Sequence, residues 1–180
     1  MLLRLALIAL LAGCPSNEPG ACKAPASNRS LEVELVVADD AGHASVVHDG
    51  DTVPLLGAPQ GGHILLVGAR VHDDQTCQYD ATGSLRDLAS NRVVGLEQRT
   101  MFVTSTGDGW SSPDEQFSSM PNVAVCPNFA TGSVVFGQAY ELEVALRIGD
   151  QTVADLKAMV TPTCAAADAY CQHDCGAQQH

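Results

Sequence analysis

Tyr140-Glu141-Leu142-Glu143-Val144-Ala145-Leu146-Arg147-Ile148-Gly149-Asp150 is the stretch whose reading decides the fold. Tyr140, Leu142, Val144, Leu146 and Ile148 alternate with Glu141, Glu143 and Arg147. A period of two sends one set to each face of a strand, so this segment is a strand buried on one side. Gly149-Asp150 supplies a compact hairpin turn, and residues 152–160 form the returning strand.

Upstream, Leu31, Val33, Leu35 and Val37 alternate with Glu32 and Glu34, which predicts another half-buried strand over 31–37. Asp39-Asp40-Ala41-Gly42 turns the chain into a short return at 45–48. Residues 52–56 read as a strand, and Pro54 places it at a sheet edge because proline cannot donate to a ladder. In 63–72 apolar residues occupy both parities, which predicts a central strand covered on both faces. Residues 78–88 and 92–104 form two more strands around Ala89-Ser90-Asn91. Residues 105–133 read as long and irregular, with one short strand at 123–125 ahead of Cys126. Eight or nine short strands separated by turns imply an all-β chain, an antiparallel β-sandwich, with a jelly roll as the rival. Beyond Pro162, Ala165-Ala166-Ala167-Asp168-Ala169 favours a short helix, which would set Cys164, Cys171 and Cys175 on one face.

Leu5 to Cys14 is an apolar run behind Arg4, too short to cross a bilayer, which takes roughly 20 apolar residues. A charged start, an apolar middle and a small-residue end are the layout of a secretory signal. Leu11-Ala12-Gly13-Cys14 resembles the lipobox of bacterial lipoproteins. The resemblance implies cleavage before Cys14 and acylation of that cysteine with fatty chains such as palmitate. It also implies export and a membrane anchor, in the outer membrane rather than the inner. The chain then divides into a signal peptide (1–13), the lipidated cysteine with a Pro- and Gly-containing flexible tether (14–30), a β-sandwich domain (31–163) and a Cys-rich C-terminal segment (164–180).

Gly137-Gln138-Ala139-Tyr140-Glu141-Leu142 resembles the tyrosine corner of immunoglobulin-like folds, in which a tyrosine opens a late strand and its hydroxyl bonds upstream backbone. That implies an immunoglobulin-like or fibronectin-like sandwich. No cysteine follows Tyr140 two residues on, and the single tryptophan, Trp110, lies in the segment read as irregular, so an antibody-type domain is not implied.

Seven cysteines less Cys14 leave Cys22, Cys77, Cys126, Cys164, Cys171 and Cys175. An even number in an exported chain reads as a disulfide framework. A Cys77–Cys126 bridge would tie the irregular segment back to the strands. Cys22 would then pair with one C-terminal cysteine, and Cys164 with Cys171 or Cys175. The helical segment is thus expected to be stapled by disulfide.

The net charge of -12, from 21 acidic and 9 basic residues, opposes nucleic acid as a partner, because phosphates need Lys and Arg. Neither Gly-x-Ser-x-Gly, nor His-Glu-x-x-His, nor a phosphate-cradling glycine loop occurs, so no catalytic residue is assigned and the chain is not read as an enzyme. His63 and His72 lie an odd distance apart on one strand and face opposite ways. Asp49-Gly50-Asp51 and Asp73-Asp74 lack calcium-loop spacing and read as turns. Loops on a rigid sandwich often carry function. Trp110 and Phe117, with Met120 and Phe129 nearby, are therefore the ligand-binding candidates, for a protein or glycan partner; the other reading is that these residues cover the open end of the core. The alternative is a periplasmic metal protein in which Cys171, His173, Cys175 and His180 offer soft ligands for zinc or copper. Without it no cofactor is expected beyond the lipid on Cys14.

Overall fold

The computed structural model describes residues 31–72, 78–113, 119–127 and 134–176. The strands are β1 (Val33–Ala38), β2 (Ala44–Val46), β3 (Asp51–Pro54), β4 (Leu56–Gly57), β5 (His63–His72), β6 (Gln78–Asp87), β7 (Arg92–Ser105), β8 (Trp110–Pro113), β9 (Asn122–Cys126), β10 (Tyr140–Ile148) and β11 (Gln151–Thr163). One helix follows, α1 (Ala169–Cys175). The protein is all-β with a short disulfide-stapled C-terminal helix.

The hydrogen-bonded order is β2-β1-β5-β8-β7-β6-β10-β11-β3, with β4 and β9 on β5. Strand β5 pairs with β1 and β4 along one edge and with β8 and β9 along the other, because β4 and β9 both meet Ile64, β1 and β9 both meet Leu66, and β1 and β8 both meet Val71. The 14-residue β7 joins two wings. Its first part pairs with β6, and Val103 to Ser105 pair with β8. Every pair is antiparallel except β11 with β3, where β3 lies at the end of the order with Pro54 on its last rung.

Alternation builds the main core. Tyr140, Leu142, Val144 and Leu146 of β10 meet Leu35 and Val37 of β1, Leu65, Val67, Ala69 and Val71 of β5, and Val123 and Val125 of β9 in one cluster. The other parity of β5 packs too: Ile64 and Leu66 join Val36, Ala38, Leu56 and Met120 in a second cluster. Strand β5 is thus covered on both faces, as the mixed parity of 63–72 predicts. The same cluster covers the C-terminal half of β1, which the sequence reads as half-buried throughout. Tyr140 is buried and its hydroxyl donates to the Val134 carbonyl oxygen at 2.7 Å, the bond that a tyrosine corner makes.

Three local expectations need correction. Trp110 does not sit in an irregular loop but opens β8, where His72 and Ser105 hold the two edges of the strand within two residues of it. Residues 52–56 are not one strand: β3 pairs with β11 and β4 with β5, so the chain changes wing at Leu55. The alanine run at 165–167 is a turn. The helix starts after Asp168, whose carboxylate accepts the Cys171 N–H at 2.9 Å as an N-cap. A capping side chain outweighs the small propensity gain of three alanines.

Candidate functional site

Two places gather chemistry-bearing side chains. On one wing, Glu34 faces Arg70 and His72 faces Trp110 in register across neighbouring strands. The Arg70 guanidinium lies 4.4 Å from the centre of the Trp110 ring, and the His72 ring meets the indole edge-on at 4.9 Å. Arg70 also bonds the Glu34 carboxylate, and His72 Nδ1 is 3.6 Å from Glu32 Oε2. Thr106 and Asp108 brace the turn ahead of Trp110. The Thr106 N–H donates to the Trp110 carbonyl at 2.9 Å, and the Trp110 N–H donates to Asp108 Oδ1 at 3.1 Å. The Thr106 hydroxyl bond, then the Trp110 N–H, holds the Asp108 carboxyl below its usual range. Trp110 is half-buried: its backbone is held by the turn, and its ring by Arg70 and His72. Met120, its companion in the sequence reading, is a core residue of the second cluster. Phe117 and Phe129 lie outside the described residues.

The second place is the C-terminal staple. Cys126 of β9 bonds Cys175 across 49 residues, and Cys164 bonds Cys171 across 7. The Cys77–Cys126 pairing is therefore wrong, and so is a bridge from Cys22 to the C-terminal cysteines, because all three have partners. Spacing misled here because α1 docks over β9 and takes Cys126 itself. Cys164 does pair with a helix cysteine, as expected. Cys14, Cys22 and Cys77 lie outside the described residues. Backbone bonds reinforce the staple: the N–H groups of Val135 and Phe136 donate to the Cys175 carbonyl at 2.9 and 3.0 Å.

Of the metal candidates, Cys171 and Cys175 share the buried face of α1. His173 points the other way, its side chain 72% exposed and its Nδ1 3.2 Å from Asp174 Oδ1. His180 lies outside the described residues. The histidine that does reach the sulfurs is His63, at the start of β5. It is 2% exposed, and one of its ring nitrogens, Cys171 Sγ and Cys175 Sγ lie within 4.8 Å of one another. Sequence reasoning passed over it, although its place at the head of a strand buried on both faces was a signal of burial. Two calcium candidates serve as backbone acceptors: Asp51 takes the His48 N–H within the turn and Asp49 takes the Met159 N–H of β11, each at 2.8 Å. Asp73 and Asp74 lie outside the described residues.

No protein-family model, curated protein or solved structure matches the chain.

Proposed function

We propose that this chain is an exported, lipid-anchored protein of the cell envelope whose β-domain is an immunoglobulin-like or fibronectin-like binding module. The observation that carries the binding reading is the half-buried Trp110 ring held between Arg70 and His72. An aromatic face braced by a cation, with hydrogen-bonding carboxylates beside it, suits a protein or glycan partner. Four cysteines held in two disulfides support an oxidising compartment, and the Tyr140–Val134 bond supports the sandwich type. Anchoring rests on the lipobox-like Leu11-Ala12-Gly13-Cys14, and the outer membrane is the membrane proposed.

Three experiments test this reading. Trp110→Ala should weaken partner binding by about 2 kcal/mol or more if the indole is a hot spot. Folding stability should fall by about 1–2 kcal/mol, the range from an exposed to a desolvated cation–π contact. Indole emission in the wild type should be quenched by a polar quencher; an unquenched, blue-shifted signal would remove this face from consideration. For the anchor, fatty-acid labelling should mark the wild type and leave Cys14→Ser unlabelled while export continues. Equal labelling of both would end the lipoprotein reading.

A further inference from the structure

Cys171 and Cys175 belong to different disulfides, yet their sulfurs lie 3.9 Å apart on one face of α1. Both cysteines are buried, and His63 closes the group from β5. His63 Nδ1 is buried and finds no hydrogen-bond partner among the described residues. A buried polar atom is rarely left so, because desolvation without a partner is unfavourable. The other nitrogen, Nε2, lies 3.9 Å from Asp168 Oδ2. That is an ion-pair approach rather than a hydrogen bond, and it puts a carboxylate within reach of the imidazole, as the outer partner of a metal-binding histidine needs. The Tyr170 ring, 5.8 Å from the imidazole, lies over the same residue.

We propose that His63, Cys171 and Cys175 form a site for a thiophilic d10 cation, Zn(II) or Cu(I), which opens when both disulfides are reduced. Nitrogen and thiolate sulfur are the donors that such ions select. In the oxidised chain each sulfur is bonded to another sulfur and is not a thiolate, so the site is closed. A dithiol supplies the electrons. Each disulfide takes two electrons and two protons from one dithiol, which leaves as its own disulfide, so two equivalents yield four thiols. Half-buried Cys164 gives the reductant access to the Cys164–Cys171 bridge; the buried Cys126–Cys175 bridge is reduced once α1 is freed of that staple. The cation then replaces the S–H protons of Cys171 and Cys175, which pass to solvent, and two metal–sulfur bonds form. The freed Cys126 and Cys164 thiols remain beside their former partners as further sulfur donors. This site is independent of the Trp110 face.

The test uses the full chain, reduced anaerobically with a dithiol that is then removed. It is titrated separately with Co(II), as a probe for Zn(II), and with Cu(I) against a competing chelator. One ion per reduced chain and none per oxidised chain is expected, with sulfur-to-metal charge transfer in the Co(II) form. X-ray absorption should find sulfur at about 2.3 Å and imidazole nitrogen at about 2.0 Å in the Zn(II) form. Binding in either arm supports the site, and the preferred arm identifies the ion. His63→Ala should weaken binding at least about tenfold. Asp168→Asn keeps a capping side chain but loses the carboxylate, and should weaken binding by about 10-fold. No ion in the reduced chain, folded or not, or a sulfur-only coordination shell in the wild type, overturns the proposal. The wild-type shell decides even if His63→Ala does not fold.

Discussion

Removing the Cys126–Cys175 bridge, as the Cys126→Ala/Cys175→Ala double variant, should lower folding stability by about 4 kcal/mol. The bridge closes a loop across 49 residues, and the chain-entropy model gives that value for a loop of this size. Cys164→Ala/Cys171→Ala, which opens a span of 7, should lower stability by only about 2 kcal/mol by the same relation. Denaturant melts under oxidising conditions would check both numbers. The order matters more than either value, and the half-buried Cys164 makes the sulfur burial lost in the second variant the smaller of the two, in the same direction. A local consequence should accompany the larger loss. The Cys175 carbonyl accepts two N–H groups from the segment leading to Tyr140. Amide exchange at Val135 and Phe136 should therefore accelerate in the first variant more than in the second. Equal losses from the two variants would mean that unfolded-state entropy does not govern this staple.

The sheet was largely legible because most of its strands carry their own signal. The alternation over 140–148, the turn at Gly149 and the return strand correspond to β10 and β11 with small shifts at the ends. The doubled parity of 63–72 identified β5 at its full length and as the strand covered on both faces. What escaped was decided by neighbours far away in sequence. Strand β8 is four residues ending in proline, and it exists because the ends of β5 and β7 lie on either side of it. The break at Leu55 comes from the pull of two different wings on adjacent residues. The candidate site was half legible. The C-terminal cysteines and the single tryptophan could be singled out from composition and position. The Cys126 partnership and the approach of His63 to the sulfurs depend on where α1 docks, and a pattern within α1 holds no trace of that. The Tyr140–Val134 bond did leave a local mark, because donor and acceptor are only six residues apart.

Two glycines that carry no turn signal should prove among the least replaceable residues. Alanine in place of glycine inside a strand would ordinarily help by about 0.5–1 kcal/mol through backbone entropy. At Gly95 of β7 the sign should reverse, with a loss of about 3 kcal/mol, the upper end for added bulk in a packed core. A Cβ there would lie 2.6 Å from the Ala124 carbonyl oxygen and 2.8 Å from Val123 Cγ1, so β9 backbone blocks it. At Gly83 of β6 a Cβ would overlap Val67 Cγ2 and approach Val123 Cγ2 to 2.9 Å, which are side-chain atoms only. Side chains can be trimmed and a ladder strand cannot, so the two sites should differ under compensation. Val67→Ala should rescue Gly83→Ala, making the double variant about 1 kcal/mol or more better than the sum of the singles. Val123→Ala should rescue Gly95→Ala much less, because the Ala124 oxygen stays in place. Thermal or denaturant melts of the two cycles measure both couplings. Equal rescue at both positions would show that β9 yields as easily as a methyl group, and the close approach of its backbone to β7 would then not be what fixes the spacing of the two wings.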